Sequence, residues 1–147
     1  MLCEHPLPEL GTFLGDHFKS SDEAQSTYWL RLMFASEIDG TLHLGRGIPR
    51  YWLRDGERLA LRNAATHFGA LSYEIRSKAK EGKIEMSLDP PTRNAPNEIL
   101  VRFRHPENKP IRRVIVNGTE WRDFDSEKEE IRLPGNPGTH VEIVADF

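Results

Sequence analysis

Residues 71–88, LSYEIRSKAKEGKIEMSL, decide the fold. Apolar and polar residues alternate on both sides of Gly82, which predicts two strands with one apolar and one polar face each. Gly82 can adopt the positive φ that a short reversal needs. Strands of a helix-covered parallel sheet would be apolar on both faces, so the alternation indicates an antiparallel hairpin. Other strands must cover its apolar face, which consists of Leu71, Tyr73, Ile75, Ile84, Met86 and Leu88.

The composition limits the classes of protein. The chain has 147 residues, of which 37% are apolar, enough for one ordinary domain with one core. A net charge of −3 gives no basic field, so we expect no nucleic-acid partner. The single cysteine, Cys3, excludes an internal disulfide and a Cys-rich zinc site. No apolar run reaches the roughly 20 residues of a membrane span, and the N-terminus lacks signal-peptide features. We therefore expect no membrane association and a cytoplasmic location, or export if the chain belongs to a longer precursor.

Turn signals divide the chain into a lead-in of residues 1–26 and a β-sandwich domain of residues 27–147. Prolines and glycines near the start predict an irregular or short helical segment. Four apolar residues there have the spacing of one helical turn: Leu10, Phe13, Leu14 and Phe18.

Residues 22–35 fit two structures. Serines followed by acidic residues are typical of a helix start. Thr27–Ala35 is instead rich in aromatic and apolar residues, and Asp39-Gly40 then precedes a second apolar stretch, Thr41–Leu44, which favours a hairpin. We favour the hairpin and keep the helix as the alternative.

The remaining chain predicts further strands. Asn117-Gly118 is a strong hairpin signal, and Tyr51–Leu53 is expected to form a short turn within a loop rich in glycine and proline. About nine strands, at spacings of roughly 10–15 residues, predict an all-β fold: an antiparallel, jelly-roll-like β-sandwich.

A family resemblance enters at residues 41–53, TLHLGRGIPRYWL. This stretch resembles the junction that follows the catalytic helical barrel in α/α-barrel (six-hairpin) glycoside hydrolases and their uncharacterised relatives. There, a strand pair leads through a Gly-Ile-Pro-Arg-x-Trp-Leu-like segment into a C-terminal all-β domain. Residues 114–121, VIVNGTEW, resemble a hairpin common in those domains. The resemblance covers roughly residues 28–147 and implies an accessory domain. The catalytic carboxylates of the family lie in the barrel, so no catalytic residue is carried over.

Aromatic residues supply the candidate binding residues. Indole rings offer flat faces for sugar rings, and most are otherwise part of a core. Trp121 is the strongest candidate because it follows an exposed turn. Arg50 belongs to a basic stretch that could hold an acidic glycan. The candidate carbohydrate-binding residues are Trp121, Trp52, Tyr51 and Arg50.

The sequence offers no catalytic or metal-binding constellation. The histidines lack zinc-ligand spacing, and no nucleophile elbow or phosphate loop is present. The acidic run around Glu127, Glu129 and Glu130, beside Asp123 and Asp125, is typical of a solvated hairpin rim. We therefore expect no enzyme activity, no metal and no cofactor.

The expected function is a non-catalytic accessory domain of a glycoside-hydrolase-like enzyme. The alternatives are a free-standing carbohydrate-binding module or a small protein-interaction domain. The expected partners are a carbohydrate or a helical-barrel glycosidase. We expect a monomer or a weak homodimer, in which residues 1–20 or a second chain cover Tyr28–Phe34.

Overall fold

The computed structural model describes residues 5–7, 12–14 and 20–147 of the chain. Two compact units are present, Met1–Leu32 and Met33–Phe147. In the first unit, strands β1 (His5–Leu7) and β2 (Thr12–Leu14) form an antiparallel pair. The prediction of an irregular or short helical lead-in is therefore wrong for these six residues. Leu10 and Phe18, which we assigned to the same helical turn, lie outside the described residues.

Helix α1 (Ser20–Phe34) replaces the strand that we favoured from Thr27. Seven residues, Tyr28–Phe34, lack the period-two alternation of a strand, and leucine, methionine and arginine favour a helix. The hairpin does form, but it begins at Ala35, directly after the helix. Its reversal at Asp39-Gly40 is correctly predicted, with φ values of 50° and 78° that suit a type I′ turn.

The second unit is an all-β sandwich of two sheets, as predicted. Its strands are β3 (Ala35–Ile38), β4 (Thr41–Leu44), β5 (Arg58–Thr66), β6 (Gly69–Lys78), β7 (Lys83–Asp89), β8 (Glu98–Arg102), β9 (Arg113–Val116), β10 (Thr119–Trp121), β11 (Phe124–Asp125), β12 (Glu130–Pro134) and β13 (Val141–Asp146). The six-stranded sheet has the order β10-β9-β13-β7-β6-β5, and the five-stranded sheet has the order β11-β12-β8-β4-β3. Every pairing is antiparallel except that of β4 with β8. The count exceeds nine because several edge strands have only two to four residues.

The hairpin that decides the fold lies inside the six-stranded sheet as β6 and β7. Ile75 pairs with Met86, and the predicted apolar face of both strands is buried in one core shared by the two sheets. The reversal is a 3-10 helix, Ala79–Glu81, closed by Gly82 at φ 69°. Alternation therefore correctly indicated which side chains enter the core.

Candidate binding surfaces

A 3-10 helix, Arg50–Leu53, positions three of the four predicted site residues. Leu53 is buried and anchors the turn. Tyr51 is 57% exposed, and the Trp52 ring lies edge-on to it, with a 6.2 Å separation of the ring centroids. The Arg54 guanidinium carbon lies 6.0 Å from the centroid of the Tyr51 ring. Together with Glu57 and Leu59, these side chains line a shallow cleft of about 390 Å³. The structure thus brings Tyr51 and Trp52 together at an accessible surface.

Arg50 is not among the residues that line that cleft and instead forms an ion pair with the buried Glu129. Its guanidinium donates to both carboxylate oxygens of Glu129, at 2.6 Å each, and to the carbonyl of His105 at 2.9 Å. Glu129 is 2% exposed, so the interpretation of the whole acidic run as a solvated rim is wrong for this residue. A ligand would have to compete with this ion pair for Arg50, whose role in carbohydrate binding stays a prediction.

Trp121 connects the two sheets at one edge of the sandwich. It lies on β10, is partly buried against the core, and its indole N–H donates to the carbonyl of Arg132 on β12 at 2.9 Å. The hydrogen bond satisfies the polar group of the indole. Trp121 is not among the residues that line the Tyr51 cleft, and its role in carbohydrate binding stays a prediction.

The polar face of the six-stranded sheet forms a second surface. The sequence predicts that this face is polar but does not predict a binding surface there. Cross-strand register aligns Ala60, Glu74, Ser87 and Glu142 in one row across β5, β6, β7 and β13. Two depressions of about 250 Å³ and 370 Å³ lie along this face and share Glu74 and Ser87. We call the two together the outer trough. Its main polar residues are Asn63, Ser72, Glu74, Ser87, Asp89 and Glu142.

A hydrogen-bonded cluster borders the outer trough at β7 and β13. Nδ1 of His140 lies 2.7 Å from Oδ1 of Asp89, and its Nε2 lies 2.6 Å from Oε1 of Glu142. The hydroxyl of Ser87 donates to the same Glu142 oxygen at 2.9 Å. Hydrogen bonds to Asp89 and Glu142 raise the pKa of His140 above its usual value, which favours the imidazolium and its two N–H donors.

The same cluster contains the residue types of a serine–histidine–aspartate triad, but its geometry does not support nucleophilic catalysis. Oγ of Ser87 is 3.5 Å from Nε2 of His140, while Glu142 occupies the closer position on both groups. An imidazole held between two carboxylates is favoured in its protonated form, and in that form it cannot accept the serine proton. Ser87 also lies within a paired strand between β6 and β13, where no turn presents a pair of free N–H groups to an oxyanion.

Ion pairs fix the other side chains of the trough. Glu74 lies between Arg58 and Arg76, with Nε of Arg76 2.6 Å from its carboxylate. Hydrogen bonds from Arg58 and then Arg76 lower the pKa of Glu74. Lys78 pairs with Glu85 at 2.8 Å. Glu74 and Glu85 are therefore each paired with at least one neighbouring cation.

Within residues 5–7, 12–14 and 20–147, no three histidine, cysteine or acidic side chains are arranged to hold a metal ion. Helix α1 is neither long nor apolar enough to cross a bilayer.

Comparison with known proteins adds no family assignment. The chain matches no protein-family model, and no curated protein is similar enough to count as a match. The resemblance of residues 41–53 and 114–121 to glycoside-hydrolase accessory domains therefore stays a prediction.

Proposed function

We propose that the sandwich is a non-catalytic accessory domain of a carbohydrate-processing enzyme, and that α1 contacts a helical-barrel domain of that enzyme. The observation that supports this proposal is the way the junction-like segment, residues 45–53, holds the end of α1. The N–H of Gly45 donates to the carbonyl of Phe34 at 2.8 Å, and the N–H of Gly47 donates to that of Met33 at 3.1 Å. Trp52 adds a ring contact with Phe34 at 6.1 Å between centroids.

Glycine is required at this junction for steric reasons. A Cβ on Gly47 would lie 2.8 Å from Cα of Met33, closer than side-chain carbons approach a backbone. Gly45 has φ 71°, and its own Cβ would lie 2.8 Å from the carbonyl oxygen of Arg102. Residues 45–53 thus fit the last turn of a helix against a sandwich, which is the arrangement that an accessory domain following a helical domain needs.

The preceding turn of α1 presents the surface for the partner. Three consecutive residues, Tyr28, Trp29 and Leu30, are 51%, 60% and 48% exposed. Consecutive helical residues are about 100° apart, so these side chains spread over about 200° of the circumference. A helix that is apolar on several sides is normally covered by other structure, and exposed apolar patches commonly mark interfaces. A barrel of packed helices offers such cover.

The test begins with an α/α-barrel domain encoded in the same or an adjacent reading frame. We expect the barrel and this chain to associate when they are purified and mixed, as measured by sedimentation velocity and calorimetry. Trp29→Glu places a charge in the proposed interface and should weaken association by about tenfold or more. Ile38→Glu is the matched control, because Ile38 is 42% exposed on β3 and lies outside α1. Equal weakening by both variants, no association, or neighbouring genes unrelated to carbohydrate would contradict the proposal.

A further inference from the structure

We infer that the outer trough of the six-stranded sheet is a binding site for a neutral oligosaccharide. The choice of carbohydrate rests on the proposed function, whereas the position of the site and the preference for an uncharged ligand rest on the geometry and charge of this face.

The trough has the shape of a site for an extended ligand. It crosses β5, β6, β7 and β13, which are adjacent in the sheet, and neighbouring strands are about 4.8 Å apart, so four strands extend over about 14 Å. A bulge between Leu61 and Ala64 borders one end. Within it, Asn63 has φ 50° and its N–H donates to Oγ of Ser72 at 2.9 Å. Bulges bend an edge strand, and this one places the polar residues 62–63 beside the trough.

Hydrogen-bond donors and acceptors both line the outer trough in a fixed arrangement. Glu142 and Asp89 provide acceptor oxygens, and the Ser87 oxygen, whose proton is donated to Glu142, can accept. The Ser72 hydroxyl and the Asn63 amide can donate, whereas both N–H groups of His140 are already engaged by Asp89 and Glu142. Their mutual hydrogen bonds hold these side chains in place before a ligand arrives. Ordering them beforehand lowers the entropic cost of binding. Vicinal hydroxyls of a sugar, which donate and accept at adjacent positions, complement such a surface.

Charge balance favours a neutral ligand. Four carboxylates, Glu74, Glu85, Asp89 and Glu142, are matched by four cations, Arg58, Arg76, Lys78 and protonated His140. Arg62, which also lines the trough, adds one positive charge, so the face is close to neutral. A surface of paired charges produces a weak net field, which attracts neither polyanions nor polycations strongly. Tyr73, an aromatic residue of the trough lining, is 3% exposed. Binding therefore depends on hydrogen bonds rather than on ring stacking, in contrast to the Tyr51 cleft.

The experiment titrates the full chain with β-1,4-linked hexasaccharides of glucose, xylose and mannose, and with hexagalacturonate as the anionic comparator. We expect at least one neutral hexasaccharide to bind by calorimetry and to shift the backbone amide NMR signals of residues 60–63, 72–76 and 85–89. Ser87→Trp fills the centre of the trough and should reduce affinity by about tenfold or more. Lys83→Trp, on the same face of β7 but outside the trough lining, should leave affinity unchanged. Glu142→Gln keeps the side-chain size and should also weaken binding, which covers the case that Ser87→Trp does not fold.

Each other outcome overturns the inference in a recognisable way. Amide shifts confined to residues 51–59 would assign binding to the Tyr51 cleft and would leave the association with carbohydrate intact. Tighter binding of hexagalacturonate would refute the preference for a neutral ligand. No binding of any of these sugars would refute the site, whereas the accessory role is measured separately through Trp29→Glu and barrel association.

Discussion

At the residue scale, Glu129 shows why composition alone misjudges a charged side chain. Four acidic residues lie within six positions of it in sequence: Asp123, Asp125, Glu127 and Glu130. Its carboxylate is nevertheless buried, and Arg50 and the N–H of His105 both bind it. Its backbone has φ 55° at the position directly before β12 begins. Removing one partner of such a pair costs more than the pair contributes, because the other charge stays desolvated.

His105 beside this pair makes the stability of the sandwich depend on pH. Its side chain is fully buried, and Nδ1 accepts from the N–H of Glu107 at 3.2 Å. Burial, and then the charge of Lys109, lower the pKa of His105 below its usual 6.5. As the solution is acidified, His105 therefore binds a proton more readily in the unfolded chain than in the folded chain.

We predict that His105 contributes stability that is complete above pH 6.5 and is lost as the pH falls through its lowered folded-state pKa. His105→Asn keeps an acceptor near the N–H of Glu107 and removes the titration. The variant should lose about 1–3 kcal/mol at pH 7.5 because of the cavity and altered packing against Phe147, and it should show a flatter decline towards pH 5. Urea unfolding at several pH values measures both effects. An unchanged pH slope in the variant would assign the acid sensitivity to other groups.

At the scale of elements, the sequence predicts structure well where a short local pattern determines it. The alternation in residues 71–88 identified the buried faces of β6 and β7, and Asn117-Gly118 marked the β9–β10 reversal, with φ values of 49° and 77°. Tyr28–Phe34 was ambiguous because aromatic residues favour strands and its other residues favour helices. The outer trough could not be predicted, because Glu142 joins Glu74 and Ser87 only through the pairing of β13 with β7, two strands that are distant in sequence.

The contact of Gly47 with α1 predicts a difference between two glycines. Gly47→Ala places a Cβ 2.8 Å from Cα of Met33 and should displace the end of α1, at a cost of about 1–3 kcal/mol. Gly56→Ala is the control, because no atom lies within 4 Å of its added Cβ and the cost comes only from φ 82°. Hydrogen exchange at Gly45 and Gly47, whose N–H groups bind the end of the helix, should accelerate in Gly47→Ala and not in Gly56→Ala. Equal exchange rates in the two variants would show that close approach is not what holds the helix end.

At the scale of the whole molecule, alternation and turn residues predicted a sandwich but not the order of its strands. The six-stranded sheet places β13 between β9 and β7, and the five-stranded sheet pairs β4 in parallel with β8, more than 50 residues later. Such long-range pairings are selected by how the apolar faces of all strands fit together in one core, and no local pattern encodes them. The sequence therefore predicts the fold class, a β-sandwich, but it does not predict which residues of different strands meet on its surfaces.

The central position of β13 has a consequence for folding while the protein is being synthesised. Without β13, the six-stranded sheet separates into a β5-β6-β7 meander and a β9-β10 hairpin, which is too small to be stable alone. During synthesis, most of the domain therefore leaves the ribosome before the six-stranded sheet can form. The apolar faces of the meander and the hairpin stay uncovered until residues 141–146 are available. A chain ending at residue 140 should remain unfolded and bind chaperones, and adding a synthetic peptide of residues 141–147 should restore the near-ultraviolet circular dichroism of the complete domain. Native-like folding of the shorter chain by itself would show that the two pieces close without their shared strand.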